Sequence, residues 1–231
     1  MAVGDSALYL NAASNNLVAL GSKALYSNTS GSGNMAIGFQ ALYSNTTGHS
    51  NTGIGYNALY SNTSGYMNLA VGPEVLYSNT TGEHNLAVGF QSLKANVSGR
   101  YNTAMGLRAL FANTTGEWNT ALGYTALKDN TTGNGNVAVG PNVLMFNTTG
   151  NYNASTGFIA LQKNTTGSSN TAYGGYSMQD NTTGSNNTAM GYGAGGQQIT
   201  GNGNLFLGYK AGYNETTANN RFYYSEALAF Q

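Results

Sequence analysis

Carboxylates are the side chains of this sequence that could do acid–base chemistry, but their spacing keeps them apart. The eight acids are spread along the chain, at Asp5, Glu74, Glu83, Glu117, Asp129, Asp180, Glu215 and Glu226. Glycoside hydrolysis needs acids and bases that converge on one spot. The chain repeats every seventeen residues, and no two acids are separated by that one period. We therefore predict that the protein is not an enzyme and needs no cofactor.

Glu83 and Glu117 occupy the same position two repeats apart, with Arg100 at that position between them. In a stack of repeats these three side chains would be neighbours, about 4.8 Å from one repeat to the next. We expect a surface charge ladder here, not an acid–base pair, and each ion pair in it should contribute at most about 1 kcal/mol.

Histidines and cysteines do not predict a metal site. The two histidines, His49 and His84, fall at different positions of the repeat, and a zinc site would need more ligands than they supply. There is no cysteine, so disulfides and thiolate ligands are excluded and the redox compartment stays open.

Asn-x-Ser/Thr triplets form the other chemically suggestive pattern, because they match the acceptor sequence of N-linked glycans. They recur once per repeat, at Asn28, Asn45, Asn62, Asn79, Asn96, Asn113, Asn130, Asn147, Asn164 and Asn181. In one interpretation the Asn opens a turn of Asn-Thr-Thr-Gly type and the Thr residues supply β-propensity. In the other, exposed turns carry sugar along the whole chain and offset its missing charge.

Aromatic residues collect at the last two positions of the repeat, which are also the most variable. We consider them a candidate recognition surface for a sugar or a protein, although simple tolerance of surface positions explains the pattern equally well. The candidate residues are Tyr66, His84, Tyr101, Trp118 and Tyr152. A second aromatic column, which includes Phe39, Tyr56 and Phe90, is expected to pack between chains.

One glycine of the repeat returns every seventeen residues without insertion or deletion. Its thirteen positions are Gly4, Gly21, Gly38, Gly55, Gly72, Gly89, Gly106, Gly123, Gly140, Gly157, Gly174, Gly191 and Gly208. So strict a period indicates stacked coils, because a globular fold tolerates drift in spacing. We expect each glycine to have a positive φ or to be crowded by a neighbouring chain.

The repeat reads Asn-x-Ala-apolar-Gly-x-x-Ala-Leu-x-x-Asn-Thr-Thr-Gly-x-x, as in Asn102 to Trp118. It predicts two short strands per coil, one around Ala-apolar-Gly and one around Ala-Leu (Ala41–Leu42, Ala109–Leu110). The first Asn should form a ladder of amide hydrogen bonds between coils. The predicted fold is an all-β parallel β-solenoid, or β-roll, of about thirteen 17-residue coils over residues 1–220. Residues 221–231 diverge and could serve as a junction or cap.

Association of copies is expected for two reasons. The small Ala of the first strand fits a narrow interior, so its aliphatic neighbour faces the other way and needs a second cover. We expect burial between chains of one of two columns, represented by Val88, Met105 and Leu122 or by Leu93, Leu110 and Leu127. The chain also starts in register with no recognisable cap, which predicts end-to-end stacking into a filament through residues 221–231.

Charge and hydropathy exclude several partners. Only 7% of residues are charged and the formal net charge is zero, so neither a nucleic acid nor an anionic membrane surface finds a basic patch. No apolar run reaches 18 residues, so we expect no membrane insertion. Residues 1–20 lack the pattern of a secretory signal. Export by another route, a removed signal and a fragment of a longer chain all stay open.

The segment Asn-x-Ala-apolar-Gly-x-x-Ala, as in Asn34–Ala41, resembles the head repeat of YadA-like trimeric autotransporter adhesins. The longer form with Asn-Thr-Thr-Gly is similar to repeats of bacteriophage tail fibres and related surface proteins. The resemblance extends from Met1 to about Asn220. It implies a left-handed parallel β-roll, a trimer, and adhesion to a host-surface glycan or protein.

These observations together favour an extracellular, cell-surface or virion fibre: an adhesive shaft or head, or a filament subunit. One alternative is a carbohydrate-binding tail-fibre module. A less favoured one is an ice-binding protein, because the two consecutive Thr residues of each turn cannot both face one flat side.

Overall fold

Residues 1–225 are described by a computed structural model. They form a parallel β-solenoid of about thirteen coils, in which one short strand per coil joins a single 14-stranded sheet whose spatial order is the chain order. Each strand residue pairs with the residue seventeen positions further on, as Ala104 does with Ala121. The predicted coil length, parallel register and all-β class are confirmed. Residues 1–225 include no helix with the length and apolarity that crossing a membrane requires.

The strands are two or three residues long. They are β1 (Ala2–Val3), β2 (Val18–Leu20), β3 (Met35–Ile37), β4 (Thr52–Ile54), β5 (Leu69–Val71), β6 (Leu86–Val88), β7 (Thr103–Met105), β8 (Thr120–Leu122), β9 (Val137–Val139), β10 (Ala154–Thr156), β11 (Thr171–Tyr173), β12 (Thr188–Met190), β13 (Leu205–Leu207) and β14 (Phe222–Tyr224). Strand β14 continues the sheet into the segment predicted to diverge after residue 220. The remaining residues of that segment, 226–231, lie outside the described residues.

Two ladders of small and medium side chains fill the interior of the solenoid. The middle residue of each strand points inward and is Ala in most coils, fully buried at Ala104 and Ala121. Facing it is the Leu of the Ala-Leu segment, fully buried at Leu93, Leu110 and Leu127. The second of the two columns that could have been buried between chains is therefore core of its own chain.

The predicted second strand, around the Ala-Leu segment, is wrong. Leu110 has a φ of 52° and Arg108, two residues earlier, has a φ of 54°, so both are left-handed and the segment is a broad turn. An extended segment would send adjacent side chains to opposite faces, whereas Ala109 and Leu110 are both fully buried. The left-handed backbone turns both side chains into the same interior.

The broad turn still joins neighbouring coils through its backbone. The Leu110 amide donates to the Ala126 carbonyl of the next coil at 3.0 Å, and the Arg108 amide donates to the Phe90 carbonyl of the preceding coil at 2.9 Å. Buried backbone groups need such partners. The turn therefore supplies a second set of hydrogen bonds between coils without being a strand.

The recurring glycine ends the strand in a conformation that other residues rarely adopt. Its φ lies between 109° and 142° at all thirteen positions, and Gly106 has a φ of 138°. A Cβ on Gly106 would lie 2.4 Å from the carbonyl oxygen of Gly123, its equivalent in the next coil. The expected positive φ is present, and the crowding comes from the next coil of the same chain.

The predicted ladder of first-position asparagines is also present. Asn102 Oδ1 accepts hydrogen bonds from the backbone amide of Asn119 at 3.0 Å and from its Nδ2 at 3.2 Å. Asn102 in turn donates its backbone amide to Asn85 Oδ1 at 3.1 Å. These side chains are buried, so each coil is joined to the next by side-chain as well as backbone hydrogen bonds.

The core changes its composition in the last coils. Phe206 takes the inward position that is Ala in most coils, and it is fully buried. Gly195 and Gly212 stand at the Leu positions, where an added Cβ would lie 2.8 Å and 2.4 Å from the Phe206 ring. The large side chain has moved from one wall of the interior to the other, so the volume is conserved.

Substitution of the recurring glycine should break the stack locally. We expect Gly106→Ala to lower the free energy of unfolding by about 2–4 kcal/mol, because the new Cβ combines backbone strain with a clash against the next coil. Chemical denaturation monitored by circular dichroism measures this change.

Gly33→Ser is the matched control. Gly33 also has a positive φ, but it is exposed, and the equivalent residue of the next coil, Ser50, adopts a φ of 56°. The control should change the free energy of unfolding by less than about 0.5 kcal/mol. Equal stability of the two variants would contradict the role given to Gly106.

Candidate functional site

The ten asparagines of the predicted glycan acceptor triplets form a second buried ladder. Asn113 shows the pattern, with its side chain fully buried. Its Nδ2 donates to Asn96 Oδ1 of the preceding coil at 2.8 Å and to the Gly116 carbonyl of its own turn at 3.0 Å. Its Oδ1 accepts from Asn130 Nδ2 at 2.9 Å. Both amide hydrogens are therefore used inside the stack.

The turn glycine connects the two asparagine ladders. The Gly116 carbonyl oxygen accepts Asn102 Nδ2 at 2.9 Å and Asn113 Nδ2 at 3.0 Å, one donor from each ladder. A Cβ on Gly116 would lie 2.3 Å from Asn113 Oδ1 and 2.6 Å from the Gly133 carbonyl. Glycine is required at this position by close packing, and its carbonyl joins the two ladders within each coil.

Glycosylation of these asparagines is incompatible with the folded array, so the acceptor interpretation is corrected. A glycan would be attached to Nδ2, the atom that donates both of its hydrogens to neighbours within the stack. The correction applies alike to Asn28, Asn45, Asn62, Asn79, Asn96, Asn113, Asn130, Asn147, Asn164 and Asn181, all of which are fully buried. These residues build the coil.

Asn113→Ala should destabilise the protein by about 2–3 kcal/mol, because it leaves the buried amide of Asn130 without its acceptor. Thr115→Ala is the matched control, since it removes the same acceptor triplet but changes only an exposed side chain. The melting temperature should fall for the first variant and stay unchanged for the second. An equal fall in both would favour a role for the triplet itself.

Charged side chains form short ladders on the surface. Arg100 Nε lies 2.9 Å from Glu117 Oε1, and Arg100 Nη1 lies 3.8 Å from Glu83 Oε1, as the predicted charge ladder requires. Lys94 Nζ and Glu74 Oε2 are 2.8 Å apart. Within residues 1–225 no three acid or histidine side chains come close enough to hold a metal ion.

Hydrogen bonds from Lys94 and then Gln91 hold the pKa of Glu74 below its ordinary value. Such a carboxylate stabilises the fold above its unfolded-state pKa of about 4.3, and the stabilisation is lost as the pH falls through the lower folded-state pKa. The pair is partly exposed, so the effect should stay below about 1 kcal/mol. The free energy of unfolding, measured by chemical denaturation at pH 6 and in strongly acidic solution, should therefore fall less between the two conditions for Glu74→Gln than for the parent. An identical acid sensitivity would contradict this role.

A continuous run of aromatic rings crosses five consecutive coils. It consists of His49, Tyr66, His84, Tyr101 and Trp118, whose neighbouring ring centroids lie 4.1–5.3 Å apart. Four of the five residues in the predicted recognition surface are thus brought together, and His49 joins them. A hydrogen bond to the Glu83 carboxylate raises the pKa of the Tyr66 phenol.

The fifth predicted residue, Tyr152, lies beyond a gap in the run. Gly135 occupies the position between Trp118 and Tyr152, and a Cβ on Gly135 would lie 2.7 Å from the Tyr152 ring. Tyr152 therefore leans over Gly135 and remains largely exposed. The run of stacked rings ends at Trp118.

A second aromatic ladder was missed in the sequence, although its spacing was visible there. Tyr9, Tyr26, Tyr43, Tyr60 and Tyr77 are each seventeen residues apart, and their rings stack with centroids 5.1–5.2 Å apart. Burial, followed by the neighbouring tyrosines, raises the pKa of Tyr60. Rings stacked in this way cover one another's faces, so the ladder offers mainly edges and hydroxyls to solvent.

The outer face of the sheet is uncharged along its whole described length and mostly apolar. The first and third residues of β2 to β14 point outward, and they are aliphatic, methionine or aromatic side chains except for threonines at Thr52, Thr103, Thr120, Thr156, Thr171 and Thr188. Met105 is 44% exposed, and Val88 and Leu122 are partly exposed. The aromatic column after the recurring glycine borders this face and includes Phe90 and Tyr124, both exposed. We call this surface, with its aromatic border, the outer sheet face.

The threonines of the turns do not form a two-column flat array. The first Thr donates its hydroxyl to the next coil, as Thr114 Oγ1 does to the Thr131 carbonyl at 3.1 Å. The second Thr, such as Thr115, is exposed. A single free column of hydroxyls does not favour the ice-binding alternative.

Comparison of the chain with protein-family models, with curated proteins and with solved structures found no match in any of the three.

Proposed function

We propose that this protein is a non-enzymatic structural fibre protein whose copies associate side by side through the outer sheet face. The observation that supports it is the uncharged character of that face through all fourteen strands, with apolar side chains at most of its outward positions. On the far side of the aromatic border lie polar and charged residues such as Gln91 and Arg108, which keep the contact to one side of the coil. A thin rod with an apolar surface along one side is suited to side-by-side packing in the shaft of a fibre.

The size of the outer sheet face supports a second copy as its cover. Thirteen coils at about 4.8 Å and a width of about four residues give a patch on the order of 800 Å². Monomeric proteins rarely expose a contiguous apolar patch above about 300–600 Å². About 800 Å² is also one partner's share of a standard protein–protein interface.

A second copy also matches the outer sheet face in period. Side chains such as Val88, Met105 and Leu122 stand in rows at the coil spacing, so the rows of an identical chain can interdigitate along the full length. The face carries no charge that a partner of opposite charge would have to complement. These two properties favour a homo-oligomer over an unrelated partner.

Three copies are the stoichiometry we favour, because the repeat resembles the head repeats of YadA-like adhesins, which are trimers. The same resemblance supports an extracellular, cell-surface or virion location and adhesion to a host glycan or protein. End-to-end stacking of such rods into a filament stays a prediction. The residues expected to form that junction, 221–231, are described only as far as 225.

The experiment is a mass measurement by light scattering coupled to size exclusion at micromolar concentration. The parent chain should elute at a multiple of 24.0 kDa, and three times that mass would support the trimer. Met105→Glu combined with Leu122→Glu should yield single chains, because two carboxylates on the outer sheet face would be buried without partners.

Thr115→Glu combined with Thr132→Glu is the matched control, since it places the same two charges on exposed turns of adjacent coils. The control should keep the mass of the parent. A parent chain that is a monodisperse monomer would contradict the proposal, as would a double variant of the outer sheet face that keeps the parent's oligomeric mass.

A further inference from the structure

Trp118 is the last ring of the aromatic run and, like His49 at the other end, has a ring against only one of its faces. Tyr66, His84 and Tyr101 each lie between two neighbouring rings. Trp118 stacks on Tyr101 with centroids 4.1 Å apart and planes 14° apart, and its other face is turned toward the coil of Gly135. The side chain is 60% exposed. The only tryptophan of the chain thus presents a ring face to solvent.

The missing side chain at Gly135 creates a step between two aromatic walls. Trp118 forms one wall, and Tyr152, two coils away or about 9.6 Å along the stack, forms the other. The Tyr152 ring leans over the Gly135 backbone and narrows the space between the two walls, so the step is a shallow recess with the Trp118 face on one side and the Tyr152 ring on the other. An aromatic residue at position 135 would continue the stack of rings, since Trp118 and Tyr152 stand at the neighbouring positions of the same column.

Polar groups with unused hydrogen-bonding capacity stand beside the recess. Glu117 Oε1 pairs with Arg100 Nε at 2.9 Å, and among the residues that the structure describes no group donates a hydrogen bond to Oε2. Asn134 Oδ1 accepts the Glu117 backbone amide at 2.7 Å. Within residues 1–225 nothing accepts a hydrogen bond from Asn134 Nδ2. A carboxylate acceptor and an amide donor therefore flank the open ring.

We propose that the step between Trp118 and Tyr152 binds a neutral, β-configured pyranose of a polysaccharide. Such a ring carries its C–H bonds on two flat faces and its hydroxyls around the equator, so it can stack on the indole while the equatorial hydroxyls reach Glu117 and Asn134. An aromatic surface with a few placed polar groups is the usual composition of such a site. An anionic sugar is disfavoured, because Glu83 and Glu117 outnumber Arg100 in the adjacent charge ladder.

The site does not depend on lateral association of the chains. The Trp118 column lies beside the outer sheet face, on the opposite side from the aromatic border. Sugar binding and oligomeric mass can therefore be measured separately, and failure of one leaves the other proposal intact.

Cellohexaose and chitohexaose are the probes, titrated into the full chain by calorimetry and by tryptophan emission. Because the chain has one Trp, a saturable blue shift of its emission on binding reports this site alone. Trp118→Ala should weaken the affinity measured by calorimetry at least about tenfold, the loss expected when one stacking contact is removed. Tyr9→Ala, an exposed ring of the other ladder, is the control and should bind like the parent.

Gly135→Tyr provides a second variant that adds a group instead of removing one. The equivalent residues Tyr101, Trp118 and Tyr152 adopt φ values of 56–61°, so the backbone of Gly135 at 65° accepts the change, while the Tyr152 ring has to move aside. The new ring should continue the stack, cover Trp118 and abolish binding with the melting temperature unchanged.

Three results would overturn the proposal. The first is no saturable signal from the parent with either oligosaccharide up to millimolar concentration. The second is equal affinity of the parent, Trp118→Ala and Gly135→Tyr. The third is a Trp118→Ala variant that binds sugar like the parent but has a smaller oligomeric mass, which would assign Trp118 to a protein interface.

Discussion

The double hydrogen bond to the turn glycine is the interaction on which the rest of the molecule depends. In each regular coil one carbonyl oxygen, such as that of Gly116, accepts an amide from each of two asparagine ladders. Both ladders run parallel to the stack, and their amides also bond to the coil before or after. Buried networks of this kind strengthen one another when every member is satisfied. They hold each coil directly over the next, so the register cannot drift.

Constant register is also what makes the surfaces useful. Because every coil repeats at the same place, residues seventeen apart become rows of stacked rings, ion pairs or aliphatic side chains. A chain with 7% charged residues and a narrow interior of Ala and Leu has no room for an internal pocket in its regular coils. Its chemistry is therefore presented along the outside. The ladder of turn asparagines ends at Asn181, because Gln198 occupies the next position of the column, and within residues 1–225 Asn181 Oδ1 accepts no hydrogen bond.

The coil and its register could be predicted from the sequence because three features indicated the same stack: the seventeen-residue period, the small Ala of the strand and the recurring glycine. The second strand could not be placed correctly, since alternation of side chains assumes an extended backbone and Leu110 is left-handed. The buried state of Asn113 was hidden, because Asn-Thr-Thr-Gly reads alike as an exposed turn and as a ladder. The departures at Gly195, Phe206 and Gly212 were visible, but only three-dimensional packing shows that they compensate one another.

Part of the candidate site could be predicted from the sequence. Spacing identified the aromatic residues at the repeat ends, yet it treated Tyr152 as equivalent to Tyr101. The step arises because Gly135 has no side chain. A glycine at this variable position of the repeat does not by itself predict a recess. Which ring face stays open depends on stacking order, so it follows from the structure and not from residue type.

The most direct test of the account is hydrogen exchange of the asparagine side-chain amides, followed by NMR. We expect the Nδ2 hydrogens of ladder residues such as Asn102 and Asn113 to exchange slowly, at rates comparable to the strand backbone, because both hydrogens are donated inside the stack. Asn202 and Asn219, which are exposed, should exchange rapidly and serve as internal references. Ladder amides that exchange as fast as those two would contradict the claim that paired asparagine ladders hold the coils together.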